Sequence, residues 1–167
     1  MSMSQVVQDA LNQQINNEFS ASYEYLAMSA WCETQTLHGA AKWLRLQSQE
    51  EYAHAMRLFN FVIARGGVIE LKAIPAPSQT YKSLYDVFER VLKQEQNVST
   101  QIDSLYELAF REKAYSATVE LQWFLTEQVE EEKSAREILA KLKMIGDDVP
   151  SLLALDAELG QRNTAEH

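Results

Sequence analysis

Apolar residues in this chain recur in alternating steps of four and three along four separate stretches. The first stripe runs through Leu11, Ile15, Glu18, Ser22, Tyr25 and Ser29. The second runs through Leu44, Gln47, Glu51, His54, Leu58 and Phe61. Leu84, Phe88, Val91, Glu95, Val98, Ile102 and Leu105 make the third. Leu121, Phe124, Gln128, Glu131, Ala135, Ile138, Leu142 and Ile145 make the fourth. That spacing places each set on one face of an α-helix and predicts helix-on-helix packing. Every stripe is interrupted near its midpoint by residues that could ligate a metal.

The turn signals set the boundaries. Helices are expected at about 4–33, 39–65, 83–111 and 114–145, with Gly66-Gly67 ending the second. Asp147, Asp148 and Pro150 open a short segment at about 149–159, followed by a tail, 160–167, expected to be mobile. Short links make helices one and two, and three and four, antiparallel pairs. The stretch after Gly66 is long and carries Pro75 and Pro77. About 16 extended residues span roughly 50 Å, and a helix of about 28 residues is roughly 42 Å long. The link can therefore run the length of the bundle. The predicted fold is all-α in a single domain, 1–167. It is a four-helix bundle with one long crossover between helices two and three, plus a short C-terminal fifth helix. Leu152, Leu155 and Leu159 lie on one side of that fifth helix, which is too short to be stable alone and must dock. Subunits around a symmetry axis are the expected surface.

Composition narrows the function. A net charge of -9 without a basic cluster argues against a nucleic-acid partner. The single cysteine, Cys32, rules out a disulfide within the chain, and a reducing compartment is expected. No apolar run suits a secretory signal or a membrane span, so a cytoplasmic location without a membrane partner is expected.

The midpoint residues carry the chemistry. The middle of a helix lies at the same height whichever way the helix runs. Glu18, Glu51, His54, Glu95, Gln128 and Glu131 should therefore converge on one layer of the core. A lone glutamate on a helix face reads most simply as a paired polar group, but four interrupted helices at one level do not. Unpaired carboxylates there would each cost several kcal/mol. The charges of four carboxylates balance two divalent cations, with neutral His54 and Gln128 adding none. Oxygen ligands with one imidazole suit iron or manganese. Di-iron carboxylate bundles take a Glu from each of two helices and a Glu-x-x-His from each of the others. Glu51-His54 keeps that motif, and Gln128-Glu131 alters it. Glu50, Glu127 and Glu130 each precede a core ligand by one residue, about 100° around the helix. They read as a solvated face, or as a third, weaker metal site. Tyr25, two turns beyond Glu18, could hydrogen-bond a ligand or supply an electron. His38 and His167 read as solvent-facing and terminal residues, and Trp31 and Trp43 as packing residues.

Several segments together resemble the bacterial non-haem ferritins over essentially the whole chain. They are Asn17-Glu18, Met28-Ser29-Ala30-Trp31-Cys32, Gln49-Glu50-Glu51-Tyr52-Ala53-His54, Arg57-Leu58-Phe59, Leu121-Gln122-Trp123 and Glu127-Gln128-Val129-Glu130-Glu131-Glu132-Lys133. The resemblance implies a ferritin-like homo-oligomer of 24 subunits that oxidises Fe(II) with dioxygen or peroxide and stores ferric mineral inside. It implies a first iron site of Glu18, Glu51 and His54. The second would use Glu51 as a bridge with Glu95 and Glu131, with Gln128 nearby. A third iron would use Glu50, Glu127 and Glu130. Tyr25 and Trp123 match aromatic neighbours of the site in that family. The related bacterioferritins carry a second histidine where Glu131 stands and a haem-ligating methionine where Tyr52 stands, so no haem is expected. Two other functions fit the same residues: a passive shell holding a structural ion, and a di-metal oxidase acting on a small substrate.

Overall fold

The computed structural model describes residues 3–163. Its five helices are α1 (Gln5–Thr34), α2 (His38–Ala64), α3 (Leu84–Arg111), α4 (Tyr115–Ile145) and α5 (Val149–Leu159), with no strand among the described residues. The expected all-α bundle is present, with α1 packed on α2 and α3 on α4. Nearly every stripe position is buried, and the exceptions, Ser22, Phe61 and Ile145, are half-buried. No helix among the described residues is long and apolar enough to cross a membrane.

Local signals start and stop the helices. The Ser4 hydroxyl caps α1 by accepting from the Val7 amide, Ser83 caps α3 through Asp86, and Asp148 caps α5 through Ser151. The tight turns after α1 and α3 close through left-handed residues that are not glycine, Thr36 (φ 57°) and Lys113 (φ 56°). In each, the following amide bonds back to an orphan helix carbonyl, Leu37 N to Cys32 O at 3.0 Å and Ala114 N to Ala109 O at 2.8 Å. Reciprocal bonds from Ser22 Oγ to Ser48 O and from Ser48 Oγ to Ser22 O lock α1 against α2 at 2.8 and 2.7 Å.

The crossover is fastened along α1 by side-chain amides one turn apart. Gln8 Oε1 accepts from the Val68 amide at 3.0 Å. Asn12 exchanges bonds with Val68 O and Glu70 N, and Asn16 with Glu70 O and Lys72 N, at 2.8–2.9 Å. These amides serve an extended segment as a neighbouring strand would, which satisfies backbone groups in a long loop.

Helix α5 packs on α2 of its own chain. Leu155 and Leu159 are buried in the same apolar cluster as Ala40, Trp43 and Leu44 of α2. The N-terminus of α2 has no side-chain cap of its own. Asp156 of α5 supplies one, accepting from Gly39 N at 3.2 Å and Ala40 N at 2.7 Å. Its charge also suits the positive end of the helix dipole. Gly39 permits the approach, because a Cβ there would stand 1.7 Å from the Asp156 carbonyl oxygen. Beyond α5, Arg162 is held against α2, within the segment expected to be mobile. The rest of that tail, residues 164–167 with His167, lies outside the described residues.

The apolar core forms two clusters. One gathers Leu11, Ile15, Leu58, Ile102 and Phe124, and the other Met28, Leu44, Phe88, Ile138 and Leu142. Between these two sets, at the helix midpoints, the stripes turn polar, and that layer holds the candidate site.

Candidate metal centre

Glu18 and Glu51 are 0% exposed, Glu95 1%, Glu131 2%, and His54 and Gln128 4% each. All six midpoint residues are therefore inside. Three sets of donor atoms lie close enough to share a cation: Glu18 with Glu51 and His54, Glu51 with Glu95 and Glu131, and His54 with Glu127 and Glu131. Within each set the atoms are no more than 4.8 Å apart. Glu51 belongs to two sets, so it stands between two adjacent positions. His54 Nδ1 is 3.4 Å from Glu51 Oε2, as the i, i+3 spacing requires. The imidazole ring meets Trp123 and Phe124 edge-on, with centroids 5.3 and 5.9 Å away, which fixes its plane.

Neutral amides and one phenol orient the carboxylates. Gln14 Nε2 donates to Glu18 Oε1 at 3.1 Å. Gln47 Nε2 donates to Glu131 Oε2 at 2.6 Å. Gln128 Nε2 donates to Glu95 Oε2 at 3.2 Å and also lies 3.1 Å from the Glu95 carbonyl oxygen. The Tyr25 hydroxyl donates to Glu95. Gln128 is thus turned with its amide nitrogen on Glu95, which leaves its carbonyl oxygen as the atom that could face a metal. Glu18 Oε2 and Glu51 Oε1 meet no donor among the described residues.

Burial pushes Glu51 and Glu131 well above the usual carboxylate range, and their acidic neighbours push further. Burial also raises Glu95, to about 7, against the lowering effect of the bonds from Tyr25 and Gln128. Tyr25 is driven well above the ordinary phenol range, first by burial and then by Glu95, so it keeps its proton and remains a donor. Without metal, then, the layer holds acids that would rather be protonated. A bound divalent cation would remove that penalty, and the donor set of carboxylates with one imidazole fits hard or borderline cations such as Fe(II).

The outer acids divide. Glu50 and Glu127 are buried, 4% and 6% exposed, whereas Glu130 is exposed, and neither Glu50 nor Glu130 belongs to any of the three donor sets. Glu127 instead joins His54 and Glu131, as its i, i+4 spacing to Glu131 allows. That spacing is visible in the sequence. Gln14 and Gln47 were missed as orienting residues, although Gln47 interrupts the second stripe one turn before Glu51. Arg162 was missed as well, and no local pattern marks it.

The chain matches the family described as ferritin-like domain over residues 8–145. A probable bacterial non-heme ferritin-like protein of Haemophilus influenzae is 41% identical over 162 residues, which cover 97% of this chain and 98% of that protein. A bacterial non-heme ferritin of Staphylococcus aureus is 37% identical, covering 95% of each chain. The crystal structure of an open pore ferritin from Archaeoglobus fulgidus superposes with a TM-score of 0.96 at 43% identity, covering 98% of this chain and 100% of the other. A four-helix bundle with an acidic midplane defines the class, and this chain belongs to the ferritin family. Family and fold support iron storage as its role.

Proposed function

We propose that the protein is a ferroxidase that oxidises Fe(II) and deposits the ferric product inside a homo-oligomeric shell, in keeping with bacterial relatives named non-heme ferritins. The observation that carries this reading is the sharing of Glu51 between two adjacent donor sets in a buried layer. Two Fe(II) ions are the substrate. One takes Glu18, Glu51 and His54, and the other takes Glu51, Glu95 and Glu131 with the Gln128 oxygen facing it. Each iron gives up one electron, and dioxygen accepts the pair with two protons, or peroxide is reduced in its place. Holding two irons side by side supplies both electrons without a diffusive second encounter. Tyr25 holds Glu95 in place and is positioned to donate an electron through that contact. Glu50 and Glu127, with Glu130 at the surface, form a third and weaker iron position. The shell has 24 subunits, and no haem takes part.

The test is anaerobic Fe(II) titration of the assembled protein followed by oxygen, with particle size measured. Two to three irons per chain, fast oxidation and a cage-sized particle are expected. Replacing His54 with alanine should abolish fast oxidation while the particle stays assembled. Rapid oxidation in that variant would refute the assignment. A passive shell would bind without oxidising, and a small-substrate oxidase would lack the cage-sized particle.

A further inference from the structure

Three residues past α5 the chain returns to the edge of the acidic layer and places a cation there. Arg162 Nη2 lies 3.0 Å from Glu50 Oε2, with the two side chains 15% and 5% exposed. Its Nη1 donates to Gln47 Oε1 at 3.0 Å and to the Trp43 carbonyl oxygen at 3.3 Å. The guanidinium sits 4.8 Å over the Trp43 ring. This is a built seat, with a charge pair, two further bonds and an aromatic floor. It also reaches the metal layer in one step. Arg162 takes the oxygen of the Gln47 amide, so the nitrogen of that amide must face Glu131, to which it donates at 2.6 Å.

We propose that Arg162 is a tethered counter-cation that occupies the outer acidic position until a metal displaces it. The inference rests on the third-position reading given above and names its regulation. A divalent cation held by Glu50 would stand beside a guanidinium bonded to the same carboxylate. Like charges that close, largely out of water, exclude one another. Occupancy of Glu50 is therefore either guanidinium or metal. By linkage the effect is reciprocal: the docked tail weakens the outer metal, and the outer metal releases the tail. Release also frees the Gln47 amide, so filling the outer position alters the hydrogen bond on Glu131. Arg162 acts here as a positioning and competing residue and touches no substrate.

The test uses the assembled full-length protein, without oxygen, titrated with Co(II) by calorimetry and visible absorption, in wild type, Arg162→Gln and Arg162→Lys. The third equivalent should bind about tenfold more tightly in Arg162→Gln, a change worth about 1.4 kcal/mol. Arg162→Lys, which keeps the charge, should stay near wild type. Hydrogen exchange at residues 160–163 of the wild type should speed up as the third equivalent binds, and not with the first two. A third step equal in all three proteins, the same change in both variants, or no third step in any of them overturns the inference while leaving the two-iron site intact. Fewer than two tight equivalents in wild type overturns that site and this inference together.

Discussion

Replacing Glu51 with glutamine should make the metal-free protein more stable and the metal-bound protein impossible to form. Glu51 is wholly buried and faces Glu18, Glu95 and Glu131. Its folded-state pKa is raised well above 4.5, first by burial and then by those acids. For an acid so shifted, the folded state holds the proton that the unfolded state releases, so stability falls as pH rises from the unfolded value through the folded one. Glutamine has nearly the same shape and no charge to desolvate. Removing a buried charge of this kind stabilises by roughly 1–4 kcal/mol. For a chain of this size each kcal/mol moves the melting point by roughly 2–4 °C. The assay is thermal unfolding in chelator at pH 5 and pH 7.5, at one scan rate, so that any irreversible step affects both proteins alike. The variant should melt higher at pH 7.5, and the gap should narrow toward pH 5, where the unfolded carboxyl also begins to hold its proton. Adding Co(II) should raise the wild-type melting point at pH 7.5 and leave the variant unchanged. A variant that melts lower than wild type at pH 7.5 in chelator would show that Glu51 is a structural partner and that the layer is not built for a cation. A variant that still gains stability from Co(II) would show that Glu51 does not join the two positions.

Two further outcomes follow from particular contacts. Tyr25→Phe removes the hydroxyl that lowers the Glu95 pKa, so Glu95, already pushed up to about 7, should rise further. Metal competes with that proton, and the pH midpoint of Co(II) binding should move upward by roughly one unit, the equivalent of one hydrogen bond to a charged group; an unmoved midpoint would mean that the Tyr25 bond does not tune the site. Gly39→Ala drives a methyl group into the Asp156 carbonyl, 1.7 Å from the ideal Cβ position. It should cost roughly 1–3 kcal/mol and raise hydrogen exchange across α5, and a wild-type melting curve with a protected α5 would refute the close docking.

The polar layer is legible in the sequence because helical geometry makes it so. Steps of four and three project onto one face, and a ligand at the middle of a helix lies at the middle of the bundle in either direction. Glu18, Glu51, His54, Glu95, Gln128 and Glu131 needed no more than that to be grouped, and all six are buried. The residues one step off the stripe were less legible. A 100° rotation places Glu50, Glu127 and Glu130 on a flank, but whether a flank is covered depends on what packs there. Glu50 is covered, with Arg162 of the tail seated on it, and Glu130 faces solvent.

The sequence by itself determined the four helices, their pairing and the acidic layer, because these follow from local periodicity and from the lengths of the connections. Tertiary structure alone decided where α5 lands, how Gln8, Asn12 and Asn16 fasten the crossover, and which amides orient the carboxylates. Those contacts join residues far apart in the chain, as Arg162 joins Gln47 and Asp156 joins Gly39. A glutamine or an arginine looks the same in a sequence whether it faces water or a buried carboxylate. Its partner is set only once the helices have fixed their rotation against one another.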